Sequence, residues 1–293
     1  MREHRTRTAD RVHERSERAL GLAWRHGLRA IRTHIDSLGP GAACSWEVLT
    51  ERRQHWKERI ELQLVALVPI AHWSTPEGEQ LASQVAAAEG VIGGVIEPPC
   101  RGRGPRQALR RLLALAERFG CPVDLHIDEA SEHPAAGVRQ LLRVLSTMDV
   151  SVPITCSHAS SLSLLNPGSL RRLGERMAEH QLQVVALPLT NGWLLGRRGQ
   201  NTPVQRPLAP IRQLRDRGVC VAVGGDNVQD PWFPGGNLDP LALMAMSVPL
   251  AQLAPWDQEG IAPFSTDAAR LLGLAWDGVL RPGAPADLIH MPT

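Results

Sequence analysis

Short apolar runs alternate with longer amphipathic segments over most of this chain. The runs are Ala30–Asp36, Leu62–Pro69, Gly90–Glu97, Pro122–Leu125, Val152–Cys156, Leu182–Asn191 and Val219–Gly224, dominated by Val, Ile, Leu and Ala. Short aliphatic stretches of this kind predict buried strands. Between them, residues 10–28, 45–60, 77–89, 105–119, 135–147, 168–180 and 207–217 predict helices. The first has Ala19, Leu20, Leu22, Ala23 and Leu28 on one side, with Arg and Glu elsewhere. Strands alternating with helices in this way give right-handed βαβ units and a parallel sheet. The fold class is α/β, a (β/α)8 TIM-type barrel lacking its first strand, because the pattern yields seven strands and opens on a helix. A doubly wound open sheet is the alternative, but no Gly-x-Gly-x-x-Gly turn follows any run.

Three of the runs lead directly into acid or imidazole groups: His126-Ile-Asp-Glu129, Ser157-His158 and Gly225-Asp226. A barrel builds its active site at the C-terminal ends of its strands, where the βα loops open. Three such groups at rising positions point to a metal-dependent hydrolase. The charge balance changes little: 32 basic and 30 acidic residues give a net charge of +2. No field of one sign favours nucleic acid or an anionic membrane. The five cysteines, Cys44, Cys100, Cys121, Cys156 and Cys220, have no CxxC spacing and read as reduced core thiols of a cytoplasmic protein. The start has no apolar signal region, and no run reaches the roughly 18 apolar residues of a membrane span.

Specific motifs then align with a known family. Ile31-Arg-Thr-His-Ile-Asp36, Leu62-Gln-Leu-Val-Ala66, Asp124-Leu-His-Ile-Asp-Glu129, Ser157-His158, Pro188-Leu-Thr-Asn191, Leu195-Gly-Arg197 and Gly224-Gly-Asp-Asn-Val-Gln-Asp-Pro-Trp-Phe-Pro234 occur in this order. Together the chain resembles the cytosine deaminase branch of the amidohydrolase superfamily. The resemblance implies His126 as a metal ligand and Glu129 as the proton shuttle to a ring nitrogen. It implies His158 as the residue that orients the attacking water. Asp226 is implied both as a metal ligand and as the group that takes a proton from that water. One divalent metal, zinc or iron, is the implied cofactor, and a small nitrogen heterocycle the implied partner.

Departures from the family pattern shape the remaining expectations. The family's first strand ends in a His-x-His pair of metal ligands, which has no counterpart here, so metal binding is expected to be weak. His34, whose context matches the second strand, is expected to line the substrate pocket with Ile70, Trp193, Asn227 and Trp232. Trp193 and Trp232 are placed in βα loops. Ile70 stands where cytosine deaminase has Gln, Asn227 where it has a second Asp, and Gly225 where it has His, which argues against cytosine itself. Residues 1–279 form the incomplete barrel, and 280–293, resembling the superfamily's return to a small β-sandwich, begin a truncated second domain. The open barrel edge is expected to promote self-association. Three readings stand at this point: an active deaminase hydrolysing a C–N bond in a small cyclic amidine or amide, a catalytically impaired or non-enzymatic relative, and a fragment of an active enzyme.

Overall fold

Seven strands lie side by side in chain order and all run parallel: β1 (Ala30–Asp36), β2 (Glu61–Leu67), β3 (Val91–Val95), β4 (Val123–Ile127), β5 (Ile154–His158), β6 (Gln183–Ala186) and β7 (Cys220–Val223). The computed structural model describes residues 7–197, 199–254, 256–257 and 260–289. Ten α-helices accompany the strands: α1 (Ala9–Arg25), α2 (Ala42–Trp56), α3 (Pro76–Ala87), α4 (Arg103–Phe119), α5 (Ala136–Leu145), α6 (Pro167–Glu179), α7 (Pro188–Gly196), α8 (Ile211–Arg215), α9 (Pro240–Ala251) and α10 (Thr266–Leu272). The sheet curls into part of a TIM-type barrel. Among the described residues, β1 and β7 each pair with a strand on one side only.

Helix patterning explains the outer layer. In α4, Leu109, Leu112, Leu113 and Ala116 recur at the spacing that keeps one stripe against the sheet, and all four are fully buried. Val138, Leu141 and Leu142 do the same in α5. They join Ile92, Val123, Leu125, Ile127, Cys156 and Val184 from the strands in one continuous core. Four of the five cysteines lie at or beside strands or under loops as free thiols, and Cys44 lies in α2.

The concave side of the sheet is polar. Arg32 of β1 donates through Nη1 to Asp124 Oδ2 of β4 (2.9 Å) and to Thr155 Oγ1 of β5 (3.1 Å). Its Nε and Nη2 donate to Gln63 Oε1 of β2 at 3.1 and 3.0 Å. Arg32 Nη2 also donates to the Leu271 carbonyl, and Gln63 Nε2 donates to the Leu272 carbonyl at 2.6 Å, so the end of α10 is tied into the barrel. The Arg32 and Asp124 side chains are only 10% and 1% exposed. A cavity of about 520 Å³ opens beneath this network at the N-terminal ends of the strands, lined by Arg32, Gln63, Thr155 and Gln183 among others.

Two expectations require correction. The sixth strand ends at Ala186, well short of Asn191, because Pro188 lacks a ladder N–H and is suited to the first turn of a helix. Trp193 therefore sits in α7 and not in a loop. The segment 207–217 forms only the short α8, since Pro207 and Pro210 delay its start. No helix of the described residues is long and apolar enough to cross a membrane. Residues 290–293 of the expected second segment lie outside the described residues.

Candidate active site

Alternation along the strands decides which groups meet. Residues two apart on a strand share a face, so Arg32 and His34 of β1 and Asp124 and His126 of β4 line the barrel interior. One ligand-type atom from each of His34, Asp124 and His126 lies within 4.8 Å of the others. The rings of His34 and His126 are 4.7 Å apart, and those of His126 and His158 also 4.7 Å. Asp124 is held on both carboxylate oxygens: Arg32 donates to Oδ2, and Ser157 Oγ donates to Oδ1 at 2.6 Å. His34 Nε2 approaches Oδ1 to 3.5 Å.

Backbone geometry turns the next groups inward. Asp128, His158 and Asp226, at or just beyond the ends of β4, β5 and β7, adopt φ of 55°, 74° and 61°. The left-handed region is uncommon for non-glycine residues, although Asp and His tolerate it better than most, and it recurs where function needs a particular orientation. The loops after β4 and β5 are laced together. Ser161 N–H and Ser160 Oγ both donate to the Asp128 carbonyl, at 3.0 and 3.1 Å. The Asp128 carboxylate accepts from Gly137 N–H (2.9 Å) and Val138 N–H (2.8 Å) at the start of α5. Glu129 is thereby fixed with Oε1 3.6 Å from His158 Nδ1.

The electrostatics sort these groups into complementary states. Burial, then the neighbouring His34, lowers His126 to about 4. Burial, then His126 and His34, also holds His158 well below its ordinary value. Both imidazoles are neutral at pH 7, the state in which a ring nitrogen can ligate a metal. Burial disfavours the Asp124 carboxylate, but the charges of His34 and Arg32 outweigh it and keep Asp124 well below the usual carboxylate range. Glu129 moves the other way: burial, then the charge of Asp226, pushes it up to about 7. Asp226 is exposed as a residue, yet protein packed around its carboxyl group raises it to about 6 against the opposing pull of Thr190 and His34. Asp226 thus faces the same mouth, outside the three-residue group formed by His34, Asp124 and His126.

Three buried imidazole nitrogens have no hydrogen-bond partner among the described residues: His34 Nε2, His126 Nδ1 and His158 Nε2. The orphaned nitrogens of His34 and His126, beside an ionised carboxylate, fit a divalent cation, because coordination would satisfy them. Three protein ligands would leave coordination positions open, as catalytic sites require.

The remaining expected pocket residues divide. Trp193 is 38% exposed, packs edge-on to Phe233 at 6.4 Å and lies under the Arg197 guanidinium at 4.9 Å. Trp232 is 65% exposed. Asn227 donates to Asp230 Oδ2 at 2.6 Å, and Asp230 Oδ1 accepts the N–H groups of Trp232 and Phe233, both at 2.9 Å. Ile70 lies in the apolar layer between sheet and helices, against Gly94. Asp124 and Asn191 stand inside the quoted motifs but were given no role of their own in the sequence. The signal for Asp124 was present, since a carboxylate two residues before His126 on an apolar strand must share its face.

Comparison with known proteins follows from this geometry. The profile of a family described as the amidohydrolase family matches residues 43–293. A pterin deaminase of Rhizobium rhizogenes is 31% identical over 281 residues, covering 95% of this chain and 63% of the relative. The chain thus spans less than two thirds of that relative's length. The 5-methylcytosine deaminase of Klebsiella pneumoniae superposes with a TM-score of 0.84 at 23% identity, covering 97% of this chain and 69% of that one. The N-isopropylammelide isopropylaminohydrolase of Burkholderia multivorans gives a TM-score of 0.69 at 26% identity, covering 88% and 63%.

Proposed function

Because the chain belongs to the amidohydrolase family, we propose that it is a metal-dependent deaminase, hydrolysing a C–N bond in a small cyclic amidine or amide. The observation that carries this reading is the close cluster of His34, Asp124 and His126, with His126 held neutral by burial and a proton-holding carboxyl group, Glu129, at its edge. His34, Asp124 and His126 would hold the metal, with Asp226 beside them. When bound, a divalent ion supplies the Lewis acidity that makes water nucleophilic near neutral pH. Zinc and iron(II) both suit imidazole and carboxylate donors.

The protein groups manage the protons. Asp226, raised to about 6, is ionised at neutral pH and basic enough to accept a proton from the attacking water. Glu129, raised to about 7, retains a proton for a substantial fraction of the time and delivers it to the ring nitrogen. His158 orients the water from the opposite side. Trp193, Trp232 and Asn227 border the mouth where a flat heterocycle would enter. The similarity to a pterin deaminase favours an amino-substituted pteridine or pyrimidine as substrate.

The test is ammonia release. Protein loaded with zinc or iron(II) is assayed against pterin, cytosine, 5-methylcytosine and guanine. Release from at least one of these is expected, with Glu129→Gln lowering kcat by about 10²–10⁴-fold. Metal bound stoichiometrically without ammonia from any of them would overturn the deaminase reading in favour of a binding role.

A further inference from the structure

Asn191 is fully buried in the first turns of α7, immediately after β6, and its Nδ2 lies 3.0 Å from His158 Nδ1. We propose that Asn191 is a positioning residue: it donates to Nδ1 of His158 and so fixes the neutral ring with its proton on Nε2, facing the reaction centre.

Two arrangements of the amide are conceivable, and hydrogen-bond accounting separates them. In one, the Asn191 amide donates one hydrogen to a bare Nδ1, leaving Oδ1 and only the second amide hydrogen without a partner among the described residues. In the other, the amide is reversed, Oδ1 accepts from an Nδ1 proton, and both amide hydrogens are left buried and unpaired. Buried orphan donors are rarer than under-satisfied carbonyl oxygens, so the first arrangement is favoured. Nε2 points the same way. It is buried without a protein partner, and the negative charge of Asp124 acts on the ring. An N–H is attracted by that charge, whereas a lone pair is repelled.

The arrangement also assigns Glu129 its freedom. Glu129 Oε1 lies 3.6 Å from the same His158 Nδ1, beyond a good hydrogen bond. With Asn191 occupying Nδ1, the Glu129 carboxyl group has no competing imidazole partner and can turn to a substrate nitrogen. Without Asn191, His158 and Glu129 would bond to each other, and both would be lost to the reaction. Only this last consequence rests on the deaminase reading, because the tautomer can be measured without substrate.

Two-dimensional ¹⁵N–¹H spectra of the histidine side chains provide the test, with His158 identified by its absence in His158→Gln. The wild type is expected to show a neutral ring protonated at Nε2. Asn191→Asp, nearly the same shape but an acceptor only, is expected to move the proton to Nδ1. Asn191→Leu should give mixed tautomers with an unchanged fold by circular dichroism. If a substrate is found, Asn191→Leu should lower kcat by about 10–100-fold with little change in KM, as for other groups that orient a reacting side chain. A wild-type ring protonated at Nδ1 would overturn the proposal, as would a tautomer unchanged in Asn191→Leu. Should Asn191→Asp fail to fold, the wild-type and Asn191→Leu spectra decide alone. Absence of deaminase activity, by contrast, would count against the proposed function and leave the tautomer assignment standing.

Discussion

A carboxyl group that holds its proton near neutrality records a cost in the folded state. Glu129 is raised to about 7, from 4.5, mainly by burial and then by Asp226. The folded protein therefore binds more protons than the unfolded chain between about pH 4.5 and 7, and stability must fall as pH rises through that window. Below it the cost is absent, and above it the cost is complete. In metal-free protein, Glu129→Gln should flatten this decline and raise stability at pH 7.5 by about 2 kcal/mol, less than the full shift implies because the side chain is 30% exposed. Urea melts at pH 4.5 and 7.5 measure it, and an unchanged pH dependence in the variant would count against the assignment. At this scale, His126, Glu129, His158 and Asp226 were legible in the sequence because each follows an apolar run. Asn191 was legible only as the end of a motif and not in its contact, since its partner lies 33 residues away and no periodicity connects them.

Elements were legible wherever one physical signal dominated. The aliphatic runs defined all seven strands, and helices such as α4 and α5 followed from their apolar stripes. The boundary between β6 and α7 was misplaced because Val184-Val-Ala-Leu-Pro-Leu continues the apolar run while Pro188 ends the ladder. What no pattern revealed is how the loop after β4 is anchored. Asp128 is 5% exposed, sits in the left-handed region and accepts the first N–H groups of α5. A helix start joined this way to the preceding loop ties helix formation to the position of Glu129. Asp128→Ala should remove both hydrogen bonds and cost about 1–3 kcal/mol. Asp128→Asn, which keeps an acceptor and tolerates the backbone, should recover part of it. A thermal melt of Asp128→Ala indistinguishable from wild type would show that α5 is fixed by packing alone.

For the molecule as a whole, the barrel class was legible from strand–helix alternation, but its polar interior was not. Arg32 lies within an apolar run whose sequence pattern names no partner for it, whereas it holds Asp124 at the centre. Arg32→Met should leave the buried Asp124 without its guanidinium partner, with only Ser157 and His34 of the described residues beside it, and cost about 3 kcal/mol by urea melt. Arg32→Met combined with Asp124→Leu should restore most of that loss, while abolishing any rise in melting temperature on adding zinc. In the wild type, zinc at a hundredfold over its dissociation constant should stabilise by about 2.7 kcal/mol, reversed by chelation. The chain-order sheet has a bearing on biosynthesis. Each strand leaving the ribosome meets, as its partner, the strand made just before it, so assembly can advance with translation and needs few distant encounters. Among the described residues the bonds from Arg32 to the Leu271 carbonyl and from Gln63 to the Leu272 carbonyl are exceptions, joining positions 239 and 209 residues apart. Until α10 is synthesised, the Arg32 guanidinium and the Gln63 amide wait without these acceptors.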